Sequence, residues 1–426
     1  PPERPAGVPV ADVSLIASPT RELFMEKIED FDLIIFDRYQ RRGILPSLYL
    51  ENVVKYVREG GAVLISAGPD YASADSIYRS PLSEILPARP TARLKRWAMT
   101  RPKLLILGTG GTIAGAAHSA TGKSYGAGQV ALETILAEVA KLGLDADFQT
   151  GTIAQIGSQD IGWPEWDALH AGIEGGKADP DLAGIIVTHG TDTAEETAYL
   201  LDLTLDADKP VVLVGAMRPV DAVGSDGLRN FANAVRVAAD PAAAGRGVMV
   251  LMGDTVFAAS DVRKAATANI DAFRGFPRGP IARVTPSSLD WFSPPHRVGS
   301  PARFPWPEAL PRVAILTAGA GMGDAVVRAM LDIGCKGIVL AGMGQGNAPR
   351  IVLDALGDAV RKGVPVVRST RVDEGMVDRN VEVDDDSYGF VAARTLGPAK
   401  ARMLLMLLIA SGITDPGDVQ AAFDAR

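Results

Sequence analysis

The sequence predicts an α/β fold: a large N-terminal domain with a mostly parallel sheet, a smaller C-terminal α/β domain, and an extra α/β-like segment ahead of both. Three observations carry this prediction. Apolar runs of strand length alternate with helix-length segments, the pattern of a parallel sheet covered on both faces. Two of those runs end alike in Gly and Thr, LLILGTGGTIAGA at 104–116 and GIIVTHGTD at 184–192. A Pro-rich stretch of poor periodicity, 277–312, separates the longer array from the shorter one.

The first 98 residues read as a separate piece. FDLIIFD at 31–37 is a buried strand, 48–59 a helix ended by Gly60 and Gly61, and AVLIS at 62–66 a second parallel-type strand. This βαβ unit resembles part of a glutamine-amidotransferase-like α/β domain. Such a domain uses a nucleophilic cysteine, and the segment has none, so no catalysis is expected from it. Residues 81–96, PLSEILPARPTARLKR, read as a linker. Met99 reads as the start of an independent protein, which leaves 1–98 as either a fusion or an accessory domain.

From Lys103 the alternation is regular. Strands are expected at 104–107, 148–156, 185–188, 211–214 and 247–252. Helices are expected at 129–142, 166–175, 194–203 and 230–239, with a Gly/Ser/Thr-rich loop at 115–128. Glu195 and Glu196 in the first turn of the 194–203 helix suit its N-terminus. After 312 the pattern repeats on a smaller scale. Strands are expected at 313–316, 337–341 and 364–368, and helices at 324–332, 351–362 and 400–410, the last closing the chain. The expected domains are therefore 99–285 and 313–426, joined by a linker at 286–312.

Composition narrows the function. A 47% hydrophobic, 22% charged chain of 426 residues suits a globular enzyme with a sizeable core. A net charge of −8 argues against nucleic acid or an anionic membrane as main partner. The single cysteine, Cys335, excludes an intramolecular disulfide and a cysteine metal cluster. Histidines 118, 170, 189 and 296 show no metal-ligand spacing, and neither metal nor cofactor is expected. No apolar stretch is long enough to span a membrane. No leader pattern precedes Met99, which favours the cytoplasm and leaves the periplasm open.

The glycine-rich turn after residue 107 could hold phosphate. A dinucleotide frame started at Gly108 puts Ile113 at the third glycine, where close helix–strand contact is needed. A Walker frame ending in Gly122-Lys123-Ser124 puts Ala117 at its first glycine. Both frames fail. The other reading is nucleophilic: a threonine hydroxyl made reactive by a neighbouring base, at the carboxyl edge of a sheet. Taken singly, the candidate partners have plainer roles. Lys264 in DVRKAAT reads as a surface lysine, Tyr125 as a loop aromatic and Asp192 as a helix cap. Glu382 reads as part of a solvated acidic run, and Ser158 as a turn cap.

Seven motifs in order change that balance: TGGTIAG at 109–115, IGSQD at 156–160, THGTDTAEETAYLLDLT at 188–204, KPVVLVGAMRP at 209–219, SDG at 225–227, VVRSTRV at 366–372 and EVDDDSYGFV at 382–391. On these the chain from about Lys103 to the C-terminus resembles the bacterial-type L-asparaginase family. The resemblance implies a fold of asparaginase type and hydrolysis of L-asparagine to L-aspartate and ammonia through an acyl-enzyme, with a broader glutaminase-asparaginase activity as the alternative. It implies Thr112 as nucleophile, with Tyr125 on a mobile loop as its activating partner and Glu382 nearby. It implies a second constellation in which Lys264 polarises Thr191 and Asp192 holds the substrate ammonium. Ser158 would bind the α-carboxylate, with Gln159 beside it; Gly111, Ala216 and Asn347 complete the implied substrate contacts. Gln159 and Asn347 match the asparagine-preferring pattern. Glu382 would reach a neighbouring subunit's site, within a homotetramer built from two intimate dimers. The chain departs from the family in Ala259-Ser260-Asp261, where Gly-Arg-Asp is frequent, and in Arg263, where a smaller polar residue is usual.

Overall fold

The computed structural model describes residues 21–37, 45–66, 77–86, 101–111, 113, 116–117, 125–126, 144, 146–297 and 303–425. The chain divides into two compact units, Pro1–Thr100 and Arg101–Arg426. In the first, β1 (Leu33–Asp37) and β2 (Ala62–Ser66) pair in parallel, joined through α1 (Ser47–Arg58). Phe36, Leu50, Val53, Val54 and Leu82 make its core. The Tyr56 hydroxyl donates to the Phe31 carbonyl at 2.7 Å, tying helix to strand. The expected βαβ unit is present.

Among the described residues, the second unit holds two main sheets and two two-stranded hairpins. Its N-terminal part runs β3 (Lys103–Gly110), a short hairpin β4 (Ala116–Ala117) and β5 (Tyr125–Gly126), β6 (Asp147–Ile156), α2 (Trp163–Lys177), β7 (Leu182–Thr188), α3 (Ala194–Thr204), β8 (Val211–Val214), α4 (Gly227–Ala238) and β9 (Val248–Met252). Then come β10 (Thr255–Ala258), a hairpin of β11 (Val262–Lys264) and β12 (Phe273–Gly275), β13 (Ala282–Val284) and β14 (Leu289–Trp291). The large sheet has the order β14-β13-β10-β9-β8-β7-β3-β6. Strands β6, β3, β7, β8 and β9 are mutually parallel, and β10, β13 and β14 continue antiparallel. The smaller sheet, β15 (Val313–Thr317), β16 (Gly337–Gly342), β17 (Val366–Thr370) and β18 (Val391–Ala392), is wholly parallel. Helices α5 (Ala325–Asp332), α6 (Arg350–Arg361), α7 (Asp385–Tyr388), α8 (Pro398–Ala410) and α9 (Pro416–Asp424) complete it. No described helix is long and apolar enough to cross a membrane.

Two local expectations are corrected. Residues 282–284 and 289–291, inside the stretch read as a poorly periodic linker, are the edge strands β13 and β14. Three-residue strands are too short to display a period. The chain also does not close on α8: α9 follows, its first turn capped by Asp415, whose side chain accepts from the Gly417 and Asp418 amides. The helix expected over 129–142 lies outside the described residues.

Helix α3 explains why both sheets form one unit. Ala194, Ala198 and Leu201 pack on the large sheet with Leu105, Ile185 and Leu213. Tyr199, Leu200 and Leu203 pack with Val339 and Val367 of the small sheet and with Met403, Leu404 and Leu407 of α8. Nearly all of α3 is buried, and its acidic residues are paired there, Asp202 with Arg297 and Glu196 with Arg402. The helix starts directly after the second Gly/Thr motif.

Candidate active site

Neighbouring strands β6, β3, β7 and β8 all end at one edge, so the loops after them converge. Gly110 and Gly111 have φ of +103° and +80°, which side-chain-bearing residues avoid. A Cβ on Gly111 would lie 2.4 Å from the Gly190 Cα, and one on Gly190 would lie 2.6 Å from the Ser158 Oγ. The turn after β3 therefore meets the turn after β7 through bare backbone, and the turn after β7 packs on the Ser158 side chain after β6. The Thr109 hydroxyl donates to the Thr188 carbonyl at 2.9 Å, and the Gly111 amide donates to the Ile156 carbonyl at 2.9 Å. The Thr193 hydroxyl donates to the Ser158 carbonyl at 2.8 Å. Ser158 and Thr191 are buried at this junction, and Gln159 faces solvent.

Lys264, at the end of β11, completes the cluster. Its Nζ donates to the Thr191 Oγ1 at 2.9 Å and to the Asp192 Oδ1 at 2.6 Å. Its side chain is 16% exposed, so the surface-lysine reading of DVRKAAT does not hold. Nor does Asp192 cap the helix: the N-cap of α3 is Thr193, and the Asp192 carboxylate is turned to the lysine. Arg263 points elsewhere, its guanidinium 4.8 Å from the centre of the Phe276 ring.

The loop after β8 is fixed by the SDG motif. The Asp226 carboxylate accepts from the amides of Met217 and Arg218 at about 3.0 Å and from the Asn230 side chain at 3.0 Å. Ala216 is fully buried there. The role of Asp226 was not read from the sequence, although the motif that contains it was. His189 is buried, and its Nδ1 lies 2.7 Å from the Gly190 carbonyl. A carbonyl only accepts, so Nδ1 carries the proton. Burial pushes the imidazole down to about 4, so it is neutral at pH 7.

Asn347 follows β16 and Glu382 follows β17, and the Asn347 amide donates to the Glu382 carboxylate. Their loops are joined at the base by Arg368, buried with Asp385. The guanidinium makes paired bonds to that carboxylate at 2.5 and 2.6 Å and donates to the Gln345 carbonyl at 2.8 Å. The structure thus forms two groups, one around Thr191, Asp192 and Lys264 and one of Asn347 with Glu382. No hydrogen bond among the described residues joins them. Thr112 and the Tyr125 side chain lie outside the described residues; the Tyr125 backbone pairs with Ala117 in the β4–β5 hairpin.

Fold and site together define a two-sheet α/β protein with a Thr–Lys–Asp constellation at the carboxyl edge of its larger sheet. Two family descriptions match the chain: "Asparaginase, N-terminal" over residues 103–297 and "Glutaminase/Asparaginase C-terminal domain" over 312–423. L-asparaginase 2 of Escherichia coli is 42% identical over 331 residues, 77% of this chain and 94% of that protein. A glutaminase-asparaginase of Pseudomonas fluorescens is 38% identical, covering 75% of this chain and 90% of its own. The crystal structure titled as a probable cytoplasmic L-asparaginase of Campylobacter jejuni superposes with a TM-score of 0.71 at 36% identity, over 76% of this chain and 99% of that one. The chain belongs to the asparaginase family.

Proposed function

We propose that the protein hydrolyses L-asparagine to L-aspartate and ammonia. The observation that carries this is Lys264, held between Thr191 and Asp192 at the junction of the Gly/Thr loops. In this reading Asp192 receives the substrate ammonium and Ser158 its carboxylate. The Thr112 hydroxyl attacks the side-chain amide carbonyl, and its proton leaves with ammonia. Water then cleaves the resulting ester, releasing aspartate and restoring the hydroxyl. Backbone amides of the glycine turns stabilise the developing oxyanion. Lys264 polarises Thr191 for proton transfer, and Tyr125 closes over Thr112 from the 115–128 loop.

Labour divides between the sheets. Domain 99–285 holds both threonines, and domain 313–426 holds Asn347 and Glu382, which serve a neighbouring copy within a homotetramer. No hydrogen bond among the described residues joins the Glu382 group to the Lys264 group, which supports that arrangement. Static light scattering tests it: a mass near four chains is expected, and a monomer retaining full turnover overturns it.

Ammonia release from asparagine and from glutamine, assayed in parallel, tests the activity. Turnover of asparagine well above glutamine is expected from Gln159 and Asn347. Folded protein that releases ammonia from neither amide overturns the proposal. Lys264→Met should lower turnover by about 10²–10⁴-fold, the usual range for a lost proton-transfer partner.

A further inference from the structure

A lysine of helix α8, in the C-terminal domain, reaches the backbone beside the large-sheet site. Lys400, in the first turn of α8, is 2% exposed. Its Nζ reaches three backbone carbonyls: Val262 at 2.5 Å, Ser260 at 2.9 Å and Ala259 at 3.4 Å. These carbonyls form the turn from β10 into β11, and Lys264 lies two residues beyond the last of them. An ammonium has three donors and no acceptor, so one cation gathers an entire turn. The turn is held from its other side by Arg278, whose guanidinium binds both carboxylate oxygens of Asp261 at 2.8 Å. Asp261 itself is buried.

Lys400 and Lys264 also line one cleft of about 260 Å³ together with Glu195, Arg263, Thr370 and Asp373. Burial lowers the Lys400 ammonium to about 8, while the Glu195 carboxylate, from the first turn of α3, acts to keep it charged. Glu195 is in turn raised by its own burial. A buried lysine with this environment could serve as a base, but all its donors face carbonyls of a turn. Its direction is toward the backbone that carries Lys264.

We propose that Lys400 is a positioning residue for the reaction: from helix α8 of the C-terminal domain it fixes the backbone of 259–262, and through it the place of the Lys264 amine beside Thr191. This rests on the role given to Lys264 above. It also means that the C-terminal domain serves its own chain's threonine site, besides carrying Asn347 and Glu382.

A double-mutant cycle on the full chain tests it, with Lys264→Met, Lys400→Met and the double variant assayed by ammonia release from asparagine. Lys400→Met is expected to lower kcat at least about ten-fold with KM changed less than about two-fold. Added to Lys264→Met, it should change the residual turnover less than two-fold, because a residue acting through Lys264 has nothing left to position. Equal fold-losses in both backgrounds, or wild-type kcat in Lys400→Met, overturn the proposal. Full turnover in Lys264→Met overturns the reading of Lys264 instead, so the two failures are distinct. Should Lys400→Met not fold, Lys400→Arg keeps the cation with different donor geometry and goes through the same cycle. The same non-additivity is then expected, and additive losses refute the assignment.

Discussion

At the scale of single residues, the geometry around Thr191 sorts the charged groups by what they touch. Lys264 spends its donors on a hydroxyl and a carboxylate, and Lys400 spends its own on main-chain carbonyls. His189 precedes both in the sequence, and its Nδ1–H goes to the neighbouring Gly190 carbonyl. Its depressed pKa links stability to pH. The unfolded imidazole titrates near 6.5 and the folded one near 4. Its contribution is therefore fully present above pH 6.5 and is lost as pH falls through that window toward 4. Between pH 7 and pH 4.5 the loss from this one group is about 2 kcal/mol. Denaturant titrations at both pH values check it. The fall in unfolding free energy should be smaller by that amount in His189→Gln, and an equal fall in both proteins refutes the linkage. Lys264 and Asp192 show what sequence can miss at this scale. A lysine in DVRKAAT and an aspartate before a helix are both ordinary on local grounds. Only the 2.6 Å contact across 72 positions makes them a pair.

At the scale of elements, the strand ends do the positioning. The turn after β3 works because Gly111 brings its backbone against Gly190 with no side chain between. Gly111→Ala would add a Cβ at 2.4 Å from the Gly190 Cα in a backbone conformation of φ +80°. The two turns must then separate, and misplacement on that scale costs about 10²-fold in turnover. Turnover of folded Gly111→Ala close to wild type would refute the close-contact account. The smaller sheet has its counterpart in Arg368, which ties the loops after β16 and β17 to Asp385. Removing one partner of such a buried pair leaves an uncompensated charge. Arg368→Met should cost about 3–5 kcal/mol by denaturant midpoint. Substituting Asp385 by an apolar residue of similar size in the same chain should recover part of that loss. The elements themselves were largely legible. Strands β7 to β9 and β15 to β17 announced themselves as short apolar runs between turn residues. β13 and β14 did not, because three-residue antiparallel edge strands take their shape from the neighbour they pair with.

At the scale of the whole molecule, the division at Thr100 coincides with the start of the family match at residue 103. A chain shortened to begin at Met99 is expected to fold and keep the asparaginase turnover of the full chain, measured per mole of folded protein. Insoluble or inactive product would make 1–98 a working part of the enzyme. By itself the sequence determined the α/β class, the order of strands and helices, and the seven motifs that belong to the asparaginase family. Those properties are local: periodicity and turn chemistry are written within ten or so residues. The tertiary structure decided which of those residues meet. It turned Lys264 from a surface lysine into the partner of Thr191 and brought Lys400 across 138 positions to the Val262 carbonyl. It also wrapped α3 in two sheets at once. Such contacts follow from how the sheets stack around a shared helix, and no window of sequence contains both sides of them.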